Sequence, residues 1–301
     1  MKAVIVGAAG FVGKYLTREL EAAGHSVVTA DLPEVNLQNA PQVESLIDGA
    51  KPDAVVNLAA ISSVGASWKC PADTISVNVN GTLNLLEAIR KHAPHAKTLL
   101  IGSAEEYAIP EGNKALKETD PLEASNPYGI SKIAQENFAQ LYRKKYGMKI
   151  VCTRSFNHTG VGQTTTFALP SFVKQVAAID KSGKPGKILV GNLSAYRDFS
   201  DVEDVVHVYR MLLENANEFD TYNVGSGIAN RIEDLLKDVI LKFTPVNIEI
   251  VVDPEKVRPV ETPYLCADNT RVKKYWNGTD IRVTLKKMFD HFKAESGTSQ
   301  E

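Results

Sequence analysis

Lys2-Ala3-Val4-Ile5-Val6-Gly7-Ala8-Ala9-Gly10-Phe11-Val12-Gly13 carries a short apolar run straight into three glycines at a spacing of three. The run has the length of a buried strand, and the apolar-periodic segment 11–23 behind it reads as a helix. Glycines between a strand and a helix serve a tight turn, a close approach of backbone to a pyrophosphate, and close packing of helix on strand. The helix N-terminus then offers N–H donors and a partial positive charge to the phosphates. The spacing is G-x-x-G-x-x-G rather than G-x-G-x-x-G, so the strand and helix around it carry much of the inference. Asp31 follows the second apolar run, 26–30, where a carboxylate accepts hydrogen bonds from the adenosine ribose hydroxyls. The alternative is a glycine turn of purely structural use with a bystander aspartate.

Working outward, strand patterns at 2–6, 26–30, 54–57, 98–101 and 149–153 alternate with helical ones such as 11–23 and 77–91. That alternation predicts an α/β fold with a parallel sheet and right-handed crossovers, helices covering both faces. After about Arg154 the pattern loosens into strands at 188–190, 221–223 and 248–251 and helices at 169–181, 201–215, 231–243 and 283–293. Residues 1–154 are therefore expected to form a dinucleotide-binding domain, with some later segments returning to it. Residues 155–295 form a smaller α/β substrate portion, and 296–301 a frayed polar tail.

The chain has 301 residues, 44% hydrophobic and 23% charged, which excludes a disordered, collagenous or coiled-coil protein. A net charge of -2 argues against a nucleic-acid partner. No run of 18 apolar residues is present, so no membrane span is expected. Regular glycines and the lack of a small-residue cleavage site speak against a secretion signal in 3–13. Cys70, Cys152 and Cys266 are few and far apart, as reduced thiols of a cytoplasmic protein would be. His92 and His95 lack companions, so no metal site is expected. Arg143-Lys144-Lys145 before Gly147 reads as a helix C-terminus, where cations offset the dipole.

Tyr128 and Lys132 stand at i and i+4 on a predicted helix over 127–146 and so share a face. The apolar stripe Ile130, Ala134, Phe138 and Leu141 falls on roughly the opposite side, which predicts that the stripe, rather than the Tyr–Lys pair, makes the helix's main core contacts. A nearby ammonium favours the phenolate and lowers a tyrosine pKa, making Tyr128 a proton donor or acceptor. Ser103 closes the fourth strand, at the sheet edge where open α/β sheets bind ligands, and its hydroxyl is placed to orient a carbonyl. A Tyr–Lys pair alone is common surface decoration; joined to the glycine turn and a strand-end serine it points to catalysis.

With Asn57-Leu58-Ala59-Ala60, Asn78-Val79-Asn80-Gly81-Thr82, Ser103 with Tyr107, and Tyr128-Gly129-Ile130-Ser131-Lys132 in view, the chain resembles the extended short-chain dehydrogenase/reductases that act on nucleotide sugars. The resemblance runs from Met1 to about Lys293. It implies a Rossmann-type doubly wound parallel sheet with a smaller C-terminal α/β substrate domain, and a catalytic Ser103–Tyr128–Lys132 triad. It further implies cofactor contacts from Gly7, Gly10, Phe11, Val12, Gly13, Asp31, Leu58, Ala59, Ala60, Asn78, Tyr128 and Lys132, with Lys132 on the nicotinamide ribose. Arg154-Ser155-Phe156-Asn157-His158-Thr159-Gly160, Gly191-Asn192-Leu193, Arg197-Asp198-Phe199 and Arg258-Pro259-Val260-Glu261 are similar to the GDP-sugar branch, GDP-4-keto-6-deoxy-mannose reductases first and GDP-mannose 4,6-dehydratases next. On that likeness Asn157, Lys174 and Arg197 hold the diphosphate, and Arg258 and Glu261 the nucleoside. The chemistry agrees, since Arg suits phosphate and Glu accepts from hydroxyls. For Arg258, a surface ion pair with Glu255 or Glu261 is the alternative.

Two departures matter. Dehydratases of this family place a polar residue before a Glu after the strand-end Ser or Thr, whereas here the run is Ser103-Ala104-Glu105. Ala104 has no proton for a leaving hydroxyl, although Glu105 keeps a base that could act at sugar C5. Val161 stands where close relatives carry Pro, which bears on loop shape rather than chemistry. The expected activity is reduction of the C4 keto group of a GDP-linked 4-keto-6-deoxyhexose, yielding GDP-D-rhamnose. NAD(H) is the preferred cofactor, NADP(H) a possible one, and no metal takes part. The rivals are a 4,6-dehydratase or 4-epimerase with tightly held NAD, and a dinucleotide-sensing regulator without chemistry. The family likeness also implies a homodimer built on helices 77–91 and 127–146.

Overall fold

The structure, a computed structural model, describes residues 1–216, 218–257 and 262–295. The opening run forms β1 (Lys2–Val6), and the glycine turn leads into α1 (Phe11–Ala22). There follow β2 (Ser26–Ala30), α2 (Ala40–Ala50), β3 (Ala54–Asn57), two short helices α3 (Val64–Lys69) and α4 (Pro71–Ile75), a wide π-type turn at Ser76–Asn80, and α5 (Gly81–His92). Next come β4 (Lys97–Ser103), the long helix α6 (Pro127–Tyr146) and β5 (Ile150–Ser155). Asn126 caps α6 by accepting from Gly129 N–H at 2.9 Å, and Gly147, at φ 67°, ends it behind Arg143, Lys144 and Lys145.

The rest of the chain supplies β6 (Asn157–Thr159), α7 (Ala168–Ser182), β7 (Gly186–Val190), β8 (Tyr196–Asp201), α8 (Val202–Asn215) and β9 (Thr221–Val224). These are followed by β10 (Ala229–Arg231), the single turn α9 (Ile232–Asp234), β11 (Ile248–Val252), β12 (Tyr264–Leu265) and α10 (Ile281–Glu295). Strand order in the main sheet is β2-β1-β3-β4-β5-β9, parallel throughout, so β9 rejoins the sheet from the second half of the chain. This is the α/β fold with a parallel sheet that the strand–helix alternation predicts, of the Rossmann type that the family resemblance implies.

Side chains of β1 alternate between two cores, as period 2 requires. Ala3 and Ile5 pack with Leu16 and Leu20 of α1 and with Val205, Tyr209 and Leu212 of α8. Val4 and Val6 pack with Val43 and Ile47 of α2 and with Leu85, Leu86 and Ile89 of α5. Each such aliphatic side chain contributes about 1.5–3 kcal/mol on burial. Beyond the sheet, β8 pairs with β6, β10 and β12, while β7 pairs with β11. Phe172 and Val176 of α7 close on Leu285 and Phe289 of α10 over this part.

Two expectations need correction. The helix expected over 231–243 is a succession of α-, π- and 3₁₀-type turns, which together seat Ile232, Leu235, Leu236 and Ile240 in one core. On α6 the apolar stripe meets the core only in part, through the partly buried Phe138. Ile130 is 52% and Leu141 58% exposed, while Tyr128, Ser131, Lys132, Gln135, Glu136 and Ala139 are buried. The polar face turns inward because β4 and β5 present hydrogen-bonding partners to it, Ile101 O to Lys132 and the Arg154 guanidinium to Glu136. Burial of polar groups is tolerated when they are paired. All three cysteines are free, and among the described residues no helix is long and apolar enough to cross a membrane.

Candidate active site

The sheet register builds the crevice. Val6 lies opposite Ala30 on one side and Asn57 on the other, so Gly7, Asp31 and Leu58 emerge side by side at the C-terminal edge. The order of strands reverses there, between β1 and β3, where open α/β sheets bind ligands. Gly7 adopts φ +85°, and a Cβ on it would lie 2.7 Å from Ala59 N. A Cβ on Gly13 would strike Gly7 O and Ala8. Gly10, at the N-cap of α1, has no side chain to close the first turn, which leaves the helix's leading N–H groups for a ligand. Asp31 Oδ1 accepts the Ala9 N–H at 3.0 Å and fastens the loop to the end of β2. Leu58 N–H donates to Val6 O at 2.9 Å, setting Leu58, Ala59 and Ala60 along the same edge. A bare backbone cradle, an uncapped helix start and a carboxylate beside them fit a dinucleotide.

Phe11 and Val12 sit partly buried on the α1–α8 core. The Phe11 ring stacks on His158 with centroids 6.4 Å apart and planes at 11°, and Tyr15 OH donates to Val161 O at 2.9 Å. The cofactor helix is thereby tied to the segment after β6. His158 donates through Nδ1 to Phe156 O at 3.1 Å, and burial pushes its pKa down, as for a packed neutral imidazole.

At the other end of the crevice Ser103 terminates β4. The chain turns at once through Ala104–Glu106, and Glu105 N–H donates to Ser103 Oγ at 3.2 Å. The Tyr128 side chain lies near Ser103, close enough for the serine to favour its phenolate. Its backbone is pinned by donation from Tyr128 N–H to the buried Ser67 Oγ at 3.2 Å. Lys132, one turn on, donates from Nζ to Ile101 O at 2.7 Å and to Gln135 Oε1 at 3.1 Å, and lies 5.8 Å from the Tyr128 ring centroid. Burial pulls its pKa down to about 8, with the Glu106 charge acting the other way. Burial raises the Tyr128 pKa, opposed by the neighbouring Ser103 and assisted by Glu106 and Glu105. The expected lowering of Tyr128 by Lys132 is thus not what the folded chain shows. The ammonium is anchored on Ile101 and Gln135, and desolvation outweighs its attraction.

Asn78, 1% exposed, accepts from Ile61 N–H at 2.8 Å and donates to Ile61 O at 3.2 Å and Ser131 Oγ at 2.9 Å. Ser131 Oγ in turn donates to Tyr128 O at 2.6 Å. Both polar atoms of Asn78 are therefore engaged within the chain, and its work here is to align the loop after β3 with α6. Ser67, Ser131 and Glu106 are absent from the sequence-based site. Only Glu106 had a readable signal, the S-x-x-E spacing Ser103–Glu106 of a capping box. Glu105 is half-buried and accepts from Asn126 Nδ2 at 2.8 Å; Ala104 is buried beside it.

On the substrate side, Asn157 is exposed on β6, in register with Phe199 of β8. Arg197, two residues earlier on β8, is buried and donates from Nη1 to Tyr196 O at 2.8 Å. Asp198 accepts from Ser226 N–H and Gly227 N–H at 2.9 Å and from Ala267 N–H at 3.1 Å, folding the 225–227 turn onto β8. Lys174 is exposed on α7. Arg258 and Glu261 lie outside the described residues.

Comparison with known proteins bears on this arrangement. The sequence profile of the family described as GDP-mannose 4,6 dehydratase matches residues 29–288. The chain is 34% identical over 285 residues to GDP-6-deoxy-D-mannose reductase of Pseudomonas aeruginosa, covering 94% of this chain and 92% of that one. It is 29% identical over 300 residues to GDP-6-deoxy-D-talose 4-dehydrogenase of Aggregatibacter actinomycetemcomitans, covering 96% and 97%. The structure of RMD from Pseudomonas aeruginosa complexed with NADPH superposes with a TM-score of 0.88 at 28% identity, over 98% of this chain and all of that one. Thermus thermophilus UDP-glucose 4-epimerase complexed with NAD gives 0.85 at 26% identity, over 97% and 99%. With the glycine cradle, the strand-end serine and the Tyr–Lys helix in place, the chain belongs to the GDP-mannose 4,6-dehydratase family of extended short-chain dehydrogenase/reductases.

Proposed function

We propose that this protein is an NAD(P)H-dependent reductase of GDP-4-keto-6-deoxy-D-mannose, producing GDP-D-rhamnose. One arrangement carries the proposal: Tyr128 stands by Ser103 at the end of β4 with Lys132 one helical turn on, 5.8 Å from its ring centroid, while Ala104 occupies the position of a dehydrating acid. The near full-length likeness to a GDP-6-deoxy-D-mannose reductase supports the same substrate class. A reduced nicotinamide, when bound, supplies the hydride for C4. Gly7, Gly10, Phe11, Val12 and Gly13 would hold its pyrophosphate end, Asp31 the adenosine ribose, and Lys132 the ribose next to the nicotinamide.

Ser103 and Tyr128 direct their hydroxyls at the C4 oxygen. Glu105 N–H occupies one lone pair of Ser103 Oγ, and the serine's hydrogen, which otherwise faces Tyr128, would turn to the C4 oxygen of a bound substrate. As the alkoxide forms, Tyr128 delivers its proton, and the Lys132 ammonium stabilises the tyrosinate left behind. Asn157, Lys174 and Arg197, with Arg258 and Glu261, would hold the diphosphate and nucleoside, mainly within residues 155–295. The test is product analysis of the keto-sugar with NADH, set against GDP-mannose with no added cofactor. Turnover of GDP-mannose alone would establish the dehydratase instead.

We further propose NADH as the preferred reductant. A 2′-phosphate would meet the Asp31 carboxylate, and no Arg follows in Leu32-Pro33-Glu34 to receive it. Initial rates with the two cofactors decide the point. The exposed Ile130 and Leu141 on α6 suit a homodimer packed through α5 and α6, which light scattering on Leu141→Glu would break into monomers. Three free, separated thiols suit the cytoplasm.

A further inference from the structure

Behind Ser103 lies a carboxyl group that the reaction above does not use. Glu106 is 0% exposed, and its Oε1 accepts the Ser103 N–H at 2.6 Å. Gly102 is the neighbour that leaves room for it, since a Cβ there would collide with Glu106 Oε1 and with Thr153 O. Oε2 is buried without a hydrogen-bond partner, 4.0 Å from Arg154 Nε. That guanidinium is engaged elsewhere. It gives Nε and Nη2 to Glu136 at 3.0 and 2.7 Å, and Nη1 to Tyr107 OH at 3.1 Å and Glu118 O at 2.9 Å. Two buried carboxyls therefore face one arginine, and Glu136 holds its two N–H groups.

We propose that Glu106 is a positioning residue for the reduction, which fixes the backbone of Ser103 and, buried beside the Arg154–Glu136 pair and within electrostatic reach of Lys132, helps to keep the proton on Lys132. The inference rests on Tyr128 being the proton donor. The titratable groups facing Glu106 are Tyr128, Lys132 and Glu136 of α6 and Cys152 and Arg154 of β5; Lys132 faces Glu106 and Cys152. Burial and Glu136 raise the Glu106 pKa, so its carboxyl holds a proton well above the usual carboxylate range. As pH rises it ionises, and the new negative charge then opposes loss of the Lys132 proton. The pair titrates together, and the tyrosinate keeps its cation further into the alkaline range than a lone buried lysine would allow.

Two variants separate the two roles. Glu106→Gln keeps the shape and the acceptor for Ser103 N–H but cannot ionise. Its plateau kcat should stay close to wild type, while the alkaline limb of kcat/KM moves to lower pH by about one unit. Glu106→Asp keeps the charge but withdraws the acceptor from Ser103. It should lower kcat about 10- to 100-fold with the limb unmoved. Thermal unfolding shows that each variant is folded, and each tests its half by itself. A Gln profile superimposable on wild type, or an Asp variant with wild-type kcat, overturns the proposal. If Tyr128→Phe retained turnover, the donor assignment itself would fail; an inactive Tyr128→Phe beside an unmoved Gln profile would sink only the role of Glu106.

Discussion

At the Gly7–Gly13 turn the groups offered to a ligand are backbone N–H donors, exposed because the residues there carry no side chain. At the end of β4 the working groups are side chains, and a buried polar lattice holds them from behind. Ser103, Tyr128 and Lys132 lean on Glu106, Ser67, Ser131, Asn78 and the carbonyl of Ile101. A site made of backbone tolerates change in its neighbours but no added atom in its cradle. A site made of buried side chains tolerates little change in its supports, because each lost partner leaves an unsatisfied polar group.

The largest expected effect comes from the side-chain end. Tyr128→Phe keeps the ring and removes the proton carrier, so turnover should fall by about 10² to 10⁴ while NADH affinity barely changes. Retention of more than about a tenth of the activity would break the contrast between a chemical end and a binding end. Next is Arg197→Ala. If this buried guanidinium meets the diphosphate, GDP affinity by calorimetric titration should drop about 10- to 150-fold, the worth of a charge-assisted contact. Unchanged affinity would move the nucleotide pocket away from β8.

Gly13→Ala probes the backbone end. The added Cβ meets Gly7 O and Ala8, and overpacking of this kind costs about 1–3 kcal/mol. NADH affinity should suffer while GDP binding is spared; the reverse result would deny the turn its cofactor role. The smallest effect is on stability. Lys132 has a folded pKa of about 8, below its ordinary 10.5, so between these values the unfolded chain binds the extra proton and this group's contribution rises with pH. Relative to Lys132→Met, wild type should gain about 1 kcal/mol between about pH 8 and 9. Parallel pH profiles of unfolding for the two proteins would mean that the ammonium is better solvated than its burial implies.

Much of this was legible in the chain. β1 and β3 fall where their apolar runs do, because a strand buried on both faces is apolar at nearly every position; β2, at the sheet edge, keeps Ser26 and Thr29 exposed and is marked by its valines. The glycine turn and the i, i+4 Tyr–Lys pair are local patterns, set by one turn or one helix. The short strands β6, β8, β10 and β12 were not foreseen. β8 carries Arg197, Asp198, Ser200 and Asp201, all buried, and their polarity masks a strand.

The α6 helix marks the boundary most clearly. Sequence alone determined that residues 127–146 are helical and that Tyr128 and Lys132 share a face. Which face turns inward was decided by β4 and β5, whose Ile101 carbonyl and Arg154 side chain make a polar surface worth burying and leave Ile130 and Leu141 outside. Periodicity reports which residues lie together. It cannot report whether water or a matching set of hydrogen-bonding groups waits on the other side, because those groups come from strands far away in the chain.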